Sequence, residues 1–101
     1  MKIIKREELK AKLDQGDDFK LVTTLGEIAF QAKHIPGSIN LSKLDDIDST
    51  FQKNDEIVVY CSDQACIASQ AAYIVLEKGG YTNVHRYAGG LSDWSAAGFD
   101  L

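Results

Sequence analysis

The chain has 101 residues, of which 45% are hydrophobic and 26% are charged. This length and balance are typical of one soluble globular domain, and we expect residues 1–101 to form a single domain. The net charge of −4 at pH 7 argues against a nucleic-acid-binding protein, because such a protein needs a basic surface to neutralise phosphates.

At its amino end the sequence predicts a strand, a helix and a second strand. Residues 1–4 are expected to form the first strand. Arg6–Gln15 is predicted to be a helix, because Leu9 and Leu13 lie one turn apart on its surface. The second strand is expected at residues 19–24, where apolar and β-branched side chains are concentrated.

The middle of the chain predicts short elements on either side of a turn. A short helix is expected at residues 27–33. A turn should follow at residues 34–37, because proline fixes φ and glycine tolerates a positive φ. A short strand is expected at residues 38–41 and a helix at residues 44–51.

The second half of the chain carries the clearest pattern. Glu56–Tyr60 is apolar along its centre, as expected of a parallel strand that is buried on both faces. A helix at Ile67–Lys78, a strand at Asn83–Tyr87 and a last short helix with Trp94 follow. Strands and helices therefore alternate throughout. This order predicts an α/β fold with a central, mostly parallel five-stranded sheet and helices on both faces.

No segment predicts export or insertion into a membrane. The first residues contain only two adjacent strongly apolar side chains, which is too few for a secretory signal, and no run approaches 18 apolar residues. We therefore expect a cytoplasmic location. In that reducing compartment, the two cysteines of the chain, Cys61 and Cys66, indicate chemistry more than a structural disulfide.

Cys61 is the strongest candidate for a reactive residue, because it follows a buried strand and precedes a polar loop and a helix. Ligands of open parallel sheets bind beyond the carboxyl ends of the strands. Unpaired N–H groups of the loop and the helix dipole can stabilise an anion there. A helix N-terminus can lower the pKa of a cysteine from about 8.5 to roughly 3.5–7.5. This arrangement favours a nucleophilic thiol over an inert, buried cysteine.

Several motifs, taken in order, resemble those of rhodanese-like domains. Residues 33–40 read KHIPGSIN, similar to the GHIPGAIN of that family. Residues 58–61 read VVYC at the end of the strand, residues 80–84 read GYTNV, and the glycine pair at 89–90 precedes Trp94. The resemblance extends over essentially the whole chain.

This resemblance implies a single-domain sulfurtransferase with Cys61 as its catalytic residue. Cys61 would accept a sulfane sulfur from a small donor or a persulfide-bearing protein, and the resulting persulfide would pass it to a thiol acceptor. The backbone amides that would cradle the persulfide belong to Ser62, Asp63, Gln64, Ala65, Cys66 and Ile67. The resemblance implies no cofactor and no metal, and from the charge and the apolar pattern we expect neither nucleic acid nor a membrane as a partner. His34, Tyr81 and Trp94 are interpreted as structural residues.

Three features depart from the family pattern. Thr23 and Leu25 stand where the family often has an Asp-x-Arg. The loop carries Asp63 where many members have a basic residue, and a carboxylate raises the pKa of a neighbouring thiol and repels anions. Thiosulfate is therefore expected to be a poor donor. Cys66 ends the loop where many relatives have arginine; we interpret it as a candidate resolving thiol, with a packing role as the alternative.

Two other functions are alternatives. A dual-specificity phosphatase of related fold needs an arginine six positions after its cysteine to grip phosphate, but Ile67 occupies that position. The other alternative is a non-catalytic rhodanese-like module that binds a partner or senses thiol redox state through Cys61 and Cys66. Formation of a sulfur adduct on Cys61 distinguishes this module from an enzyme.

Overall fold

A computed structural model of the chain describes residues 2–41, 51–62 and 67–99. Within these residues, four parallel strands form one sheet. The strands are β1 (Lys20–Thr23), β2 (Ile39–Asn40), β3 (Glu56–Tyr60) and β4 (Asn83–Tyr87), and they lie side by side in the order β2-β1-β3-β4. The helices are α1 (Arg6–Gln15), α2 (Glu27–Ala32), α3 (Ile67–Lys78) and α4 (Gly90–Ala96). The predicted α/β class is confirmed.

The sheet differs from the prediction in having four strands rather than five. Residues 1–4 were expected to form a strand, but Ile3 makes only an isolated parallel bridge to Arg86 on β4. The chain turns into α1 at Arg6, so the pairing beside β4 ends after this bridge. Of the predicted helix at residues 44–51, positions 44–50 lie outside the described residues, and Phe51 is described and belongs to no helix.

Strand side chains alternate between two cores, one on each face of the sheet. Val58 and Tyr60 of β3 pack on one face and Ile57 and Val59 on the other. The first core is completed by residues of α1, β1 and α4, including Leu9, Leu21 and Trp94. The second is completed by residues of β1, α3 and β4, including Val22, Ala72, Leu76 and Val84. Burial on both faces explains why the centre of β3 is apolar without interruption.

A hydrogen-bond network around Tyr60 connects the end of β3 to the turn that precedes β2. The Tyr60 hydroxyl donates to Ser38 Oγ at 2.8 Å and accepts the Ile35 N–H at 3.1 Å. Ser38 Oγ in turn donates to the Ile35 carbonyl at 2.7 Å. Tyr60 is fully buried, and this burial raises its pKa above the ordinary value. The network therefore holds the turn against the residue that precedes Cys61.

We expect Tyr60→Phe to lower the free energy of unfolding by about 1–3 kcal/mol, because the buried Ile35 amide loses its acceptor. Tyr73→Phe is the matched control. The Tyr73 hydroxyl also accepts a backbone N–H, at 2.9 Å, but from the exposed Lys2, whose amide can bond water instead. Urea unfolding of both variants at neutral pH measures the difference, and equal losses would contradict the role assigned to Tyr60.

Candidate functional site

Cys61 lies at the carboxyl edge of the sheet, directly after β3. The register pairs the preceding Tyr60 with Thr23 of β1 and with Tyr87 of β4. Neighbouring strands lie about 4.8 Å apart, so Cys61 is level with the residues that leave those two strands. It is only 5% exposed. Cys61 is thus at the edge where ligands of parallel sheets bind.

The loop after Cys61 is described at its two ends. Ser62 is exposed, and Ile67 begins α3 with an exposed side chain. Asp63, Gln64, Ala65 and Cys66 lie outside the described residues. The cradle of backbone amides predicted for residues 62–67 therefore stays a prediction.

Cys61 is disulfide-bonded in the structure. The chain contains two cysteines, and the other is Cys66. A sulfur in a disulfide is not a nucleophile, because attack requires a thiolate. Cys61 can therefore act as a nucleophile only after the disulfide is reduced.

The amino end of α4 holds the backbone of Cys61. The Leu91 N–H donates to the Cys61 carbonyl at 3.0 Å, and the Ser92 N–H donates to the Ser62 carbonyl at 2.8 Å. N–H groups in a first helical turn have no partner within the helix, and here they are satisfied by the start of the loop. Sequence analysis missed this contact. The local sign of this contact in the sequence was the glycine pair at 89–90. Gly89 precedes α4, and Gly90 is its first residue.

Asp93 holds α4 in this position. Its carboxylate accepts a hydrogen bond from the Tyr87 hydroxyl at 2.6 Å and an ion pair from Arg6 at 3.2 Å. Burial, with a further contribution from Asp93, raises the pKa of Tyr87. Only glycine fits at Gly89, because a Cβ there would lie 2.4 Å from the Cβ of Asp93. Gly90 follows with a φ of 64°, which glycine adopts freely.

A cavity of about 450 Å³ opens at the same edge of the sheet. Its lining residues come from the ends of β1 and β2 and from the starts of α2 and α3: Thr24, Leu25, Gly26, Glu27, Leu41, Ala68 and Ala71. Leu25 also belongs to the buried cluster that contains Cys61, and Thr24 is level with Cys61 by the strand register. The cavity therefore lies beside the cysteine.

The electrostatic character of this cavity follows from the departures noted in the sequence. Thr23 is fully buried at the end of β1, and Leu25 packs against the apolar core. Neither residue carries a charge, so the two positions where the family often has an Asp-x-Arg contribute none. Glu27 is the one charged residue among the described residues that line the cavity. The cavity wall thus presents apolar surface and a carboxylate to a ligand.

His34, Tyr81 and Trp94, which the sequence analysis interprets as structural residues, make packing and hydrogen-bond contacts away from the cavity lining. His34 Nδ1 lies 2.7 Å from the Phe30 carbonyl, and its ring stacks on that of Phe30 at 4.0 Å. Tyr81 and Trp94 are buried in the two cores. Within residues 2–41, 51–62 and 67–99, no group of three or more His, Cys, Asp or Glu side chains is placed to hold a metal ion. No helix in those ranges has the length and apolar character needed to cross a membrane.

We expect Gly89→Ala to destabilise the protein by about 1–3 kcal/mol, because the added Cβ overlaps Asp93 and must displace the start of α4. The amides of Leu91 and Ser92 should then lose their bonds to the loop, and their hydrogen exchange should become at least roughly tenfold faster. NMR-detected exchange measures both amides.

The control for this variant is Gly26→Ala, where a Cβ would meet nothing within 4 Å. Because Gly26 caps α2, the control is expected to cost at most about 1 kcal/mol. It should leave the amides of Leu91 and Ser92 protected. Exchange at those amides that is unchanged in Gly89→Ala would show that α4 does not depend on the glycine.

Comparison with known proteins gives the family. The rhodanese-like domain model matches residues 5–97. A rhodanese-like domain of the Alr3790 protein from Anabaena sp. is 25% identical, with a TM-score of 0.85 over 98% of this chain and 76% of that chain. The BH2092 protein of Bacillus halodurans is 20% identical, with a TM-score of 0.88 over 98% of this chain and 74% of that chain.

A human single-domain sulfurtransferase, TSTD1, is 21% identical, with a TM-score of 0.79 over 95% of this chain and 96% of that chain. At these identities the likeness of the last two structures concerns the fold. No protein with a curated description matches the sequence. Because the family match extends over nearly all of a chain that also has the parallel sheet and the cysteine at its carboxyl edge, the chain belongs to the rhodanese-like domain family.

Proposed function

We propose that the chain is a rhodanese-type sulfurtransferase that carries sulfur as a persulfide on Cys61. The observation that carries this proposal is the position of Cys61: it ends an inner strand of a parallel sheet, and its carbonyl is held by the N–H of Leu91. A nucleophile fixed in this way needs no movement of the sheet to meet a substrate at the carboxyl edge.

The proposed reaction consists of two displacements at sulfur. The reduced Cys61 thiolate attacks the sulfane sulfur of a donor, a bond forms between the two sulfurs, and the donor thiolate leaves with the electron pair of the broken S–S bond. An acceptor thiolate then attacks the terminal sulfur of the persulfide, and Cys61 leaves as a thiolate. The amides of residues 62–67 would stabilise the anionic terminal sulfur. The cycle needs no cofactor.

The charges near Cys61 favour a persulfide donor, on a small molecule or on a protein, over thiosulfate. Asp63 stands two positions after Cys61 in the sequence, and Glu27 lines the neighbouring cavity. A carboxylate in the loop and another at the cavity wall would oppose the approach of a doubly charged anion. The proposed acceptor is a thiol.

The disulfide at Cys61 favours a second function, a thiol redox sensor, in which Cys66 is the partner. The same pair can act within the transfer cycle. The Cys66 thiolate attacks Sγ of the Cys61 persulfide, the bond to the terminal sulfur breaks, and hydrosulfide leaves with the electron pair. The resulting disulfide is reopened by exchange with two equivalents of thiol. Cys66 would thus be a resolving thiol.

We expect Cys61→Ser to abolish cyanide-dependent release of thiocyanate from a persulfide donor, because a serine hydroxyl cannot take the sulfane sulfur. Cys66→Ser should instead keep a stable adduct of one sulfur on Cys61, whereas the wild type should release sulfide and lose two hydrogens. Intact-mass spectrometry follows each species, and circular dichroism checks that both variants fold.

The outcomes separate the two functions. Absence of a sulfur adduct with every donor, together with reversible disulfide formation, would assign the chain to redox sensing. Retained turnover in Cys61→Ser would refute the role of Cys61 altogether. Equal persulfide lifetimes in wild type and Cys66→Ser would leave Cys66 with a packing role only.

We expect Asp63→Arg to raise kcat/KM for thiosulfate by roughly tenfold, since the exchange replaces a repulsive charge beside Cys61 with an attractive one. Asp18→Arg is the control. It makes the same change in net charge, but Asp18 precedes β1 and so lies at the opposite, amino edge of the sheet. An equal effect of the two variants would mean that overall charge, not the loop, limits the use of thiosulfate.

A further inference from the structure

Exposed apolar side chains lie on the two helices that line the cavity beside Cys61. Ile28 of α2 is 87% exposed and Ile67 of α3 is 76% exposed, more than any other large apolar side chain in the described part of the chain. Each is the chain neighbour of a residue that lines the cavity, Glu27 in the first case and Ala68 in the second. The two most exposed apolar side chains therefore lie on two different helices, each one residue along the chain from the lining of the cavity.

The apolar surface continues along the outer side of α3. The side of this helix that faces the sheet buries Ser69, Ala72, Tyr73 and Leu76. Ile67, Ala71 and Ile74 are spaced four and three residues apart, so they share the opposite side, and all three are exposed. A helix that is apolar on two sides is normally covered on both. Exposed apolar patches of this kind mark interaction sites.

We propose that this surface, made of Ile28, Ile67, Ile74 and the cavity between α2 and α3, docks a protein substrate that presents a thiol or persulfide cysteine to Cys61. The proposal rests on the proposed sulfur transfer and names the substrate class of the same site. An apolar side chain of the partner enters the cavity, and a basic side chain approaches Glu27.

The extent of the surface favours a protein over a small thiol. From Ile67 to Ile74 the helix advances about 10 Å, and Ile28 adds a second helix to the surface. A small thiol that occupied the cavity would leave Ile74 uncovered. The charge of the partner follows from the cavity, where Glu27 is the one charge among the described lining residues. A basic, apolar segment around the partner's cysteine complements both features.

The test compares three defined acceptors: free cysteine, an eight-residue peptide whose cysteine is flanked by leucine and lysine, and a peptide of equal length with serine and aspartate in those places. We expect the wild type to prefer the leucine–lysine peptide to the acidic one by at least about tenfold in kcat/KM. The double variant Ile28→Gln/Ile74→Gln should lose most of this preference, and transfer to free cysteine should not change. Ile3→Gln is the control, because Ile3 is 52% exposed but lies beside β4, at the other edge of the sheet.

A binding measurement separates the surface from the chemistry. The leucine–lysine peptide with serine in place of its cysteine cannot take sulfur, so its affinity, measured from NMR shifts of the protein amides, reports docking alone. Binding to the wild type that is roughly tenfold weaker in the double variant supports the surface, even if no sulfur transfer is found and the proposed function fails.

Three results would overturn the proposal: equal use of the two peptides, binding that the double variant does not weaken, or a self-interface. The last is tested by sedimentation. A wild-type dimer that becomes a monomer in the double variant would show that a second copy of the chain covers this surface.

Discussion

The hydrogen bonds from the first turn of α4 to the carbonyls of Cys61 and Ser62 connect this helix to the end of β3 and to the start of the loop that follows it. They satisfy N–H groups that the helix itself cannot satisfy. They also fix the direction in which the chain leaves β3. Because Asp93 holds α4 through Tyr87 and Arg6, the position of Cys61 depends on residues far from it in sequence. Backbone contacts from α4 therefore help to fix where the chain carries Cys61 beyond the end of β3.

On the other side of β3, the buried hydroxyl of Tyr60 performs the corresponding task for the turn before β2. Its neutral hydrogen bonds to Ser38 and Ile35 hold that turn against the end of β3. Where the family often has an Asp-x-Arg, this chain has a buried Thr23 and a Leu25 that packs with Cys61 in one apolar cluster. On the β1 and β2 side of β3, the carboxyl edge is thus organised by packing and neutral hydrogen bonds. It carries no arginine at that position to attract an anionic donor.

This character connects the chemistry with the surface around it. For the proposed sulfur transfer, an apolar cavity with a carboxylate at its wall would oppose small anions and favour apolar or basic groups. The disulfide at Cys61 would add a second control to the proposed reaction, because a thiolate forms only after the disulfide is reduced. Substrate choice and redox state would therefore act on the same sulfur. The residues that line the cavity would set the choice of substrate, and the disulfide would set whether Cys61 can react.

The sequence by itself determined the α/β class, the bounds of α1, β3, α3 and β4, and the place of Cys61 after an inner strand. These features follow from local apolar patterns and from the order of strands and helices. The single bridge at Ile3, where a fifth strand was expected, was decided by the geometry of the edge beside β4. The bonds from α4 to Cys61 and the cavity beside it were decided by the tertiary structure as well. They join segments that are distant in sequence, and no local pattern encodes which backbone groups or side chains will meet.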